Sequence, residues 1–183
     1  IILPATFWPH KNHKYIIDVA LDFKNNKITD IVFVFCGFDK GNLKYIKKHI
    51  EEKNLQDYFK IFNYLSDLEL ISLYLKCFAI LMPTYVGHSV IPMYEAFYFK
   101  KNIFFTKDLA DENLLKFLTE IDINDFSSVR KKYLEILNNL EDNQNKLHNA
   151  ELYYKNTLNE KNMAKSFIKI FEEYKYIQER WKN

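Results

Sequence analysis

The chain has 183 residues, enough for one large domain, and its charged residues (27%) nearly cancel to a formal net charge of +2. That balance argues against a dedicated nucleic-acid binder, which should carry a basic face, and 48% hydrophobic with 17% aromatic residues argues against disorder. Two cysteines, Cys36 and Cys77, are too few and too far apart for a disulfide framework or a metal site, so they read as reduced core thiols in a cytosolic protein. No secretory signal is visible, and no apolar run nears the roughly 20 residues of a membrane span.

In chain order, Ile1–Ala5 predicts a first strand. The chain opens in that strand with Ile1 rather than Met, so it is expected to be a piece of a longer protein. His13–Phe23 follows as a helix with Ile16, Ile17, Ala20 and Leu21 on one face. Ile28–Cys36 predicts a second strand; Ile31–Phe35 within it is continuously apolar, as in a parallel strand buried on both faces. Asn42–Lys53 is a helix with Leu43, Ile46 and Ile50 inward, and Tyr58–Phe62 a third strand. Ser66–Leu75 opens on Ser66-Asp-Leu-Glu69, a capping box before an apolar run. Cys77–Met82 predicts a fourth strand, Ile91–Lys100 a helix with Pro92 near its first turn, and Asn102–Thr106 a fifth strand.

Beyond about residue 107 no strand is expected. Asp125–Leu140, Gln144–Leu158 and Lys161–Trp181 read as helices. The last carries Met163, Phe167, Ile170, Phe171, Tyr174 and Ile177 at helical spacing, a stripe expected to cover the sheet while its far end reaches a neighbouring domain. The alternation of strands and helices implies an α/β fold with a Rossmann-like doubly wound parallel sheet. One domain spans 1–183, with a helical C-terminal extension from about 125.

Such sheets bind ligands at the carboxyl ends of their strands, where strand order reverses. Two loops leave such ends with unusual content: Thr6-Phe-Trp-Pro-His-Lys-Asn-His13 and Pro83-Thr-Tyr-Val-Gly-His-Ser-Val-Ile-Pro92. The chain has only three glycines, Gly37, Gly41 and Gly87, so each is expected where the backbone needs a positive φ or a close approach. Gly87 allows a sharp turn, after which His88, Ser89, Val90 and Ile91 lead into a helix whose first N–H groups lack intrahelical partners. Free amides and the helix dipole suit a pyrophosphate; the stretch also reads as a tight turn before a packing helix.

Lys11 supplies a point charge for a phosphate or a solvated loop lysine, and Glu95, on the first turn of the fourth helix, accepts from a ribose diol or sits at the surface. Trp8 is expected to pack under its loop, with stacking on a base as the alternative. His10, His13 and His88 lack an accompanying carboxylate or cysteine at ligand spacing, which argues against a metal site. No Ser-His-Asp order, Walker lysine loop or GxGxxG fingerprint is present.

Pro83-Thr-Tyr-Val-Gly-His-Ser-Val-Ile-Pro-Met-Tyr-Glu-Ala96 resembles the donor-site motif of glycosyltransferase family 4. Phe7–His13 is similar to the corresponding loop of that family's bacterial surface-polysaccharide members. Ile61–Asp67 with Glu69–Tyr74 resembles the strand and helix between them, so the resemblance covers roughly residues 1–140. It implies the C-terminal, nucleotide-sugar-binding half of a two-domain GT-B enzyme: retaining, metal-independent and without a cofactor. By position, Glu95 matches the acid that holds the donor ribose, and Lys11 the lysine at the donor diphosphate. The amides of His88 to Ile91 face the phosphates and sugar, and Asn63 and Tyr64 lie where the chain passes the base.

Gly87 stands where the family's first acid would be, Thr6 where a basic partner of Lys11 would be, and Lys101-Asn102 where Gly-Pro is usual. The implied partners are a nucleotide-sugar donor and a glycan or lipid-linked acceptor, the latter held by an absent N-terminal domain. The implied location is the cytoplasm, with the full-length enzyme free to associate peripherally with the inner face of the membrane. Two rival readings are a catalytically inert nucleotide-sugar-binding domain and a flavodoxin-like or response-regulator-like interaction domain. The latter predicts an acidic cluster at the first strand's end, where Pro4, Trp8 and Lys11 stand.

Overall fold

The structure is a computed structural model that describes residues 1–86 and 90–181. Its elements alternate as β1 (Ile2–Pro4), α1 (His13–Asn25), β2 (Phe33–Cys36), α2 (Leu43–Glu52), β3 (Phe59–Phe62), α3 (Asp67–Lys76), β4 (Ala79–Met82), α4 (Val90–Tyr98) and β5 (Asn102–Thr106). They continue as α5 (Glu112–Leu115), β6 (Thr119–Ile121), α6 (Ser127–Asn138), α7 (Leu140–Thr157) and α8 (Glu160–Arg180). The six strands form one parallel sheet in the order β3-β2-β1-β4-β5-β6, the Rossmann order, which reverses between β1 and β4.

Strand side chains alternate between the faces, so Leu3, Ala79 and Leu81 join one core while Ile2, Ile80 and Met82 join the other. The first core is closed by α1 and α2 through Ile16, Ile17, Phe23, Ile46 and Ile50. The second is closed by α3, α4, α5 and α7 through Tyr74, Met93, Phe97, Leu114 and Ala150. At the front of α3 the predicted capping box forms: the Ser66 hydroxyl accepts from the Glu69 N–H, and Glu69 Oε2 accepts from the Ser66 N–H at 2.8 Å.

The second strand is shorter than its apolar run. Residues before Phe33 have no strand beside them, because β1 begins opposite Val34 and a 3₁₀ turn, Gln56–Tyr58, precedes β3. Val32 is accordingly 39% exposed. Contrary to the sequence expectation, the sheet gains a sixth strand beyond residue 107. Thr119-Glu-Ile121 has no continuous apolar run and is held as an edge strand by its ladder to β5. A second correction concerns α8. Both sheet faces are already covered, α6 against α1 and α7 against α4, so α8 touches α7 without covering the sheet and has no buried residue. Its stripe from Met163 to Ile177 lies exposed.

Gly37 and Gly41 meet the two expected needs. A Cβ on Gly37 would fall 2.2 Å from the Ala5 carbonyl oxygen, whereas Gly41 has open space and a φ of +93°.

Candidate functional site

After β1 the chain runs through Ala5–Trp8 into a 3₁₀ turn, Pro9–Lys11, and then reverses at Asn12. Asn12 adopts left-handed φ and ψ (56°, 42°), and its side-chain oxygen caps α1 by accepting from the Tyr15 N–H. This turn fixes where Lys11 leaves the backbone. The loop after β4 is tied to the same turn: the Tyr85 N–H donates to the His10 carbonyl at 3.0 Å. The buried Thr84 hydroxyl lies 3.1 Å from the His10 carbonyl and 2.8 Å from that of Val86. Thr106 on β5 donates to the Thr84 carbonyl at 2.9 Å. Two loops some 70 residues apart are thereby locked side by side at the point where the strand order reverses.

Between them lies a cavity of about 230 Å³. Pro4, Thr6 and Lys11 line one side, Met82, Thr84 and Pro92 the other. Lys11 is half-buried, and desolvation pushes its ammonium below the usual lysine value. Pro92 is the third residue of α4, whose helix therefore presents its amino end to the cavity. The N–H groups of Val90 and Ile91 belong to that first turn and have no intrahelical acceptor. Gly87, His88 and Ser89, assigned to the same grip from sequence, lie outside the described residues. A larger hollow of about 400 Å³ lies between β6, α6 and α7, away from the reversal point and from every predicted site residue.

Glu95 departs from its sequence expectation in one respect. Because α4 starts at Val90, Glu95 is in the second turn, where the helix dipole is weaker, and not in the first. It is neither fully exposed nor bare: its Oε2 accepts a 2.5 Å hydrogen bond from the Tyr74 hydroxyl on α3. It does not line the cavity holding Lys11 and Pro92. Asn63 and Tyr64 sit just past β3, exposed, two strands away from the reversal point. Tyr64 faces Phe38, which follows Gly37 at the end of β2, with ring centroids 5.8 Å apart. Trp8 is corrected too: it is 43% exposed and lies against the His10 ring, since Phe7 occupies the place beneath the loop.

Sequence reasoning missed Thr84, Tyr74 and Phe38. Thr84 sits inside the donor-loop motif and carries a signal only as a polar residue directly after a buried strand; Phe38 carried one as an aromatic next to a scarce glycine. Tyr74 falls on the inward face of an amphipathic helix and reads as core.

His13 is a core residue. It is fully buried, stacked on Phe7 at 4.5 Å and edge-on to Phe35 at 5.0 Å. Neither ring nitrogen makes a full hydrogen bond among the described residues. Burial pulls its pKa down to about 4, the Ala5 backbone opposes that pull, and the charge of Lys11 adds a smaller push in the same direction as burial. Below pH 6.5 the unfolded chain binds a proton here that the folded chain refuses. Stability should therefore fall as pH drops from 6.5 to 4, by about 2 kcal/mol at pH 5 from this group alone. Denaturant titrations at pH 7 and pH 5 should show that share of the loss disappearing in His13→Leu.

A Rossmann-ordered sheet, with a lysine and a helix amino end meeting where strand order reverses, defines a doubly wound α/β domain whose cavity lies where such sheets take their ligands. The chain belongs to the glycosyl transferases group 1 family, whose model matches residues 1–119. No curated protein sequence matches it. Among solved structures, the catalytic domain of cholesterol-α-glucosyltransferase from Helicobacter pylori is similar, with TM-score 0.70, 16% identity and coverage of 85% of this chain and 96% of that one. HepE from Anabaena, solved in complex with UDP, is similar with TM-score 0.76, 12% identity and coverage of 94% and 48%. Sucrose-phosphate synthase from Thermosynechococcus elongatus has TM-score 0.79, 12% identity and coverage of 96% and 45%. At these identities the likeness is one of fold. The chain spans about half the length of the latter two.

Proposed function

We propose that this chain is the donor half of a retaining glycosyltransferase, which passes a sugar from a nucleotide-diphosphate sugar to a glycan or lipid-linked acceptor. The observation that carries this reading is the meeting of Lys11 with the amino end of α4 in one cavity at the reversal of strand order. A diphosphate seated there receives the Lys11 ammonium from one side and the Val90 and Ile91 amides from the other. As the bond to the anomeric carbon breaks, charge gathers on the leaving β-phosphate, and these fixed donors stabilise it without a metal ion. Glu95 takes the ribose diol, with Asn63 and Tyr64 on the side of the base. The acceptor, drawn from surface-polysaccharide synthesis, is held by the other half of the enzyme at the inner face of the membrane. Association there is peripheral in this reading; no helix among the described residues is long and apolar enough to cross a membrane.

A thermal-shift panel of nucleoside diphosphates and their sugars tests the reading. At a hundredfold its Kd, a bound ligand should add about 2.7 kcal/mol to folded stability. A flat panel would remove the donor site. Gly87 in place of the family's first acid favours a second reading, an inert binding domain. Donor hydrolysis by the full-length protein separates the two.

A further inference from the structure

Resting on the assignment of Glu95 to the ribose, we infer that Tyr74 is the positioning residue that aims the Glu95 carboxylate and so sets the site's preference for a ribose diol. Tyr74 sits on the inward face of α3, 1% exposed, with its ring stacked on Phe99 at 5.2 Å. The flanking core on that side is apolar, so the ring alone would pack as well without a hydroxyl. The hydroxyl nonetheless has one partner, Glu95 Oε2, at 2.5 Å from a different helix. That bond crosses from α3 to α4 and fixes the carboxylate against both.

A carboxylate can serve a diol only when its two oxygens are presented together. Tyr74 occupies one lone-pair site on Oε2, while Oε1 accepts no hydrogen bond from any described residue. The remaining acceptor capacity is held in one orientation, so the side-chain rotamer entropy of Glu95 is already spent before ligand arrives. Desolvation and the adjacent carboxylate both push the Tyr74 phenol up, so at any working pH it stays a donor to Glu95 and never competes as an anion. A phenylalanine would fill the same space and leave a partly buried carboxylate free to turn.

Binding of UDP, GDP and ADP, each beside its 2′-deoxy and 3′-deoxy counterpart, tests this by calorimetry on the 183-residue chain. The native protein should prefer the best ribonucleotide over its deoxy forms by about tenfold or more, the scale of a hydrogen bond to a charged group. Glu95→Gln should lower that preference, and Tyr74→Phe should lower it by about half as much on a logarithmic scale, with deoxy-ligand affinity unchanged. Tyr74→Met, which fills the space flexibly and likewise lacks the hydroxyl, should match it if the phenylalanine variant folds poorly. If Tyr74→Phe merely lowers the melting temperature and keeps the ribose preference, the positioning role is wrong while the Glu95 assignment stands. If Glu95→Gln leaves the preference intact, the ribose assignment itself falls, and this inference with it. If none of the three diphosphates binds, both are overturned.

Discussion

Lys11→Ala is expected to weaken nucleoside-diphosphate binding about 10- to 100-fold, the cost of losing a charge-assisted contact to a phosphate. The size follows from where the ammonium sits. It is half-buried in a cavity of about 230 Å³ with Pro92 across from it, and burial already lowers its pKa. A cation in that setting is screened less by water and salt than one on an open surface, so its field at a bound phosphate is larger. The unphosphorylated nucleoside should bind native protein and variant alike, because it never reaches the ammonium. Native affinity for the diphosphate should fall with added salt, and the variant should show a shallower slope. Affinity should also decline as pH rises toward the lysine's lowered pKa, earlier than an ordinary lysine would dictate. Lys11→Arg should recover only part of the loss, since a planar fork does not place its charge where a compact ammonium does. Equal weakening of nucleoside and diphosphate binding in Lys11→Ala would show that the lysine supports the loop and does not touch phosphate.

The elements that sequence shows well are those with a strong local period. The fifth strand, Asn102–Thr106, has the predicted bounds because its five residues are all buried between two paired neighbours. The Ser66 capping box is a local hydrogen-bond pattern and needs no tertiary help. What sequence hides is set by pairing across the fold. The sixth strand exists because β5 offers a ladder to Thr119–Ile121, and the second strand begins only where its partners do. The exposed stripe of α8 carries the same periodicity as a covering helix; only the prior occupation of both sheet faces leaves it uncovered. At the candidate site, the loop that carries Lys11 stood out by its content, and Lys11 lines one cavity with Pro92 of α4. Tyr74 was not legible, since nothing local connects it to a carboxylate 21 residues onward. Thr84 likewise gains its meaning only from the His10 carbonyl, 74 residues earlier.

Gly37→Ala should cost about 3 kcal/mol or more of folding free energy, and about 10 °C in Tm for a chain of this length. The methyl would arrive 2.2 Å from the Ala5 oxygen, 2.5 Å from its carbonyl carbon and 2.7 Å from the Thr6 nitrogen. All three are backbone atoms, so no side chain can rotate out of the way. Relief requires moving the ends of β1 and β2 apart. That motion strains the 3.0 Å bond from the Ala5 N–H to the Cys36 carbonyl and the 3.0 Å bond from the Gly37 N–H to the Phe62 carbonyl. Ala5 and Thr6 also line the cavity of Lys11, so the variant should bind nucleoside diphosphate more weakly even where it remains folded. Gly41→Ala is the control. Its φ of +93° strains any side chain, yet nothing lies within 4 Å, so only backbone strain of about 1 kcal/mol is expected. Urea titrations of the two variants should therefore separate clearly, with Gly37→Ala the far weaker fold. Equal losses would mean that the strand ends part easily, and the loop that carries Lys11 would then be less firmly placed than its hydrogen bonds to Thr84 and Tyr85 require.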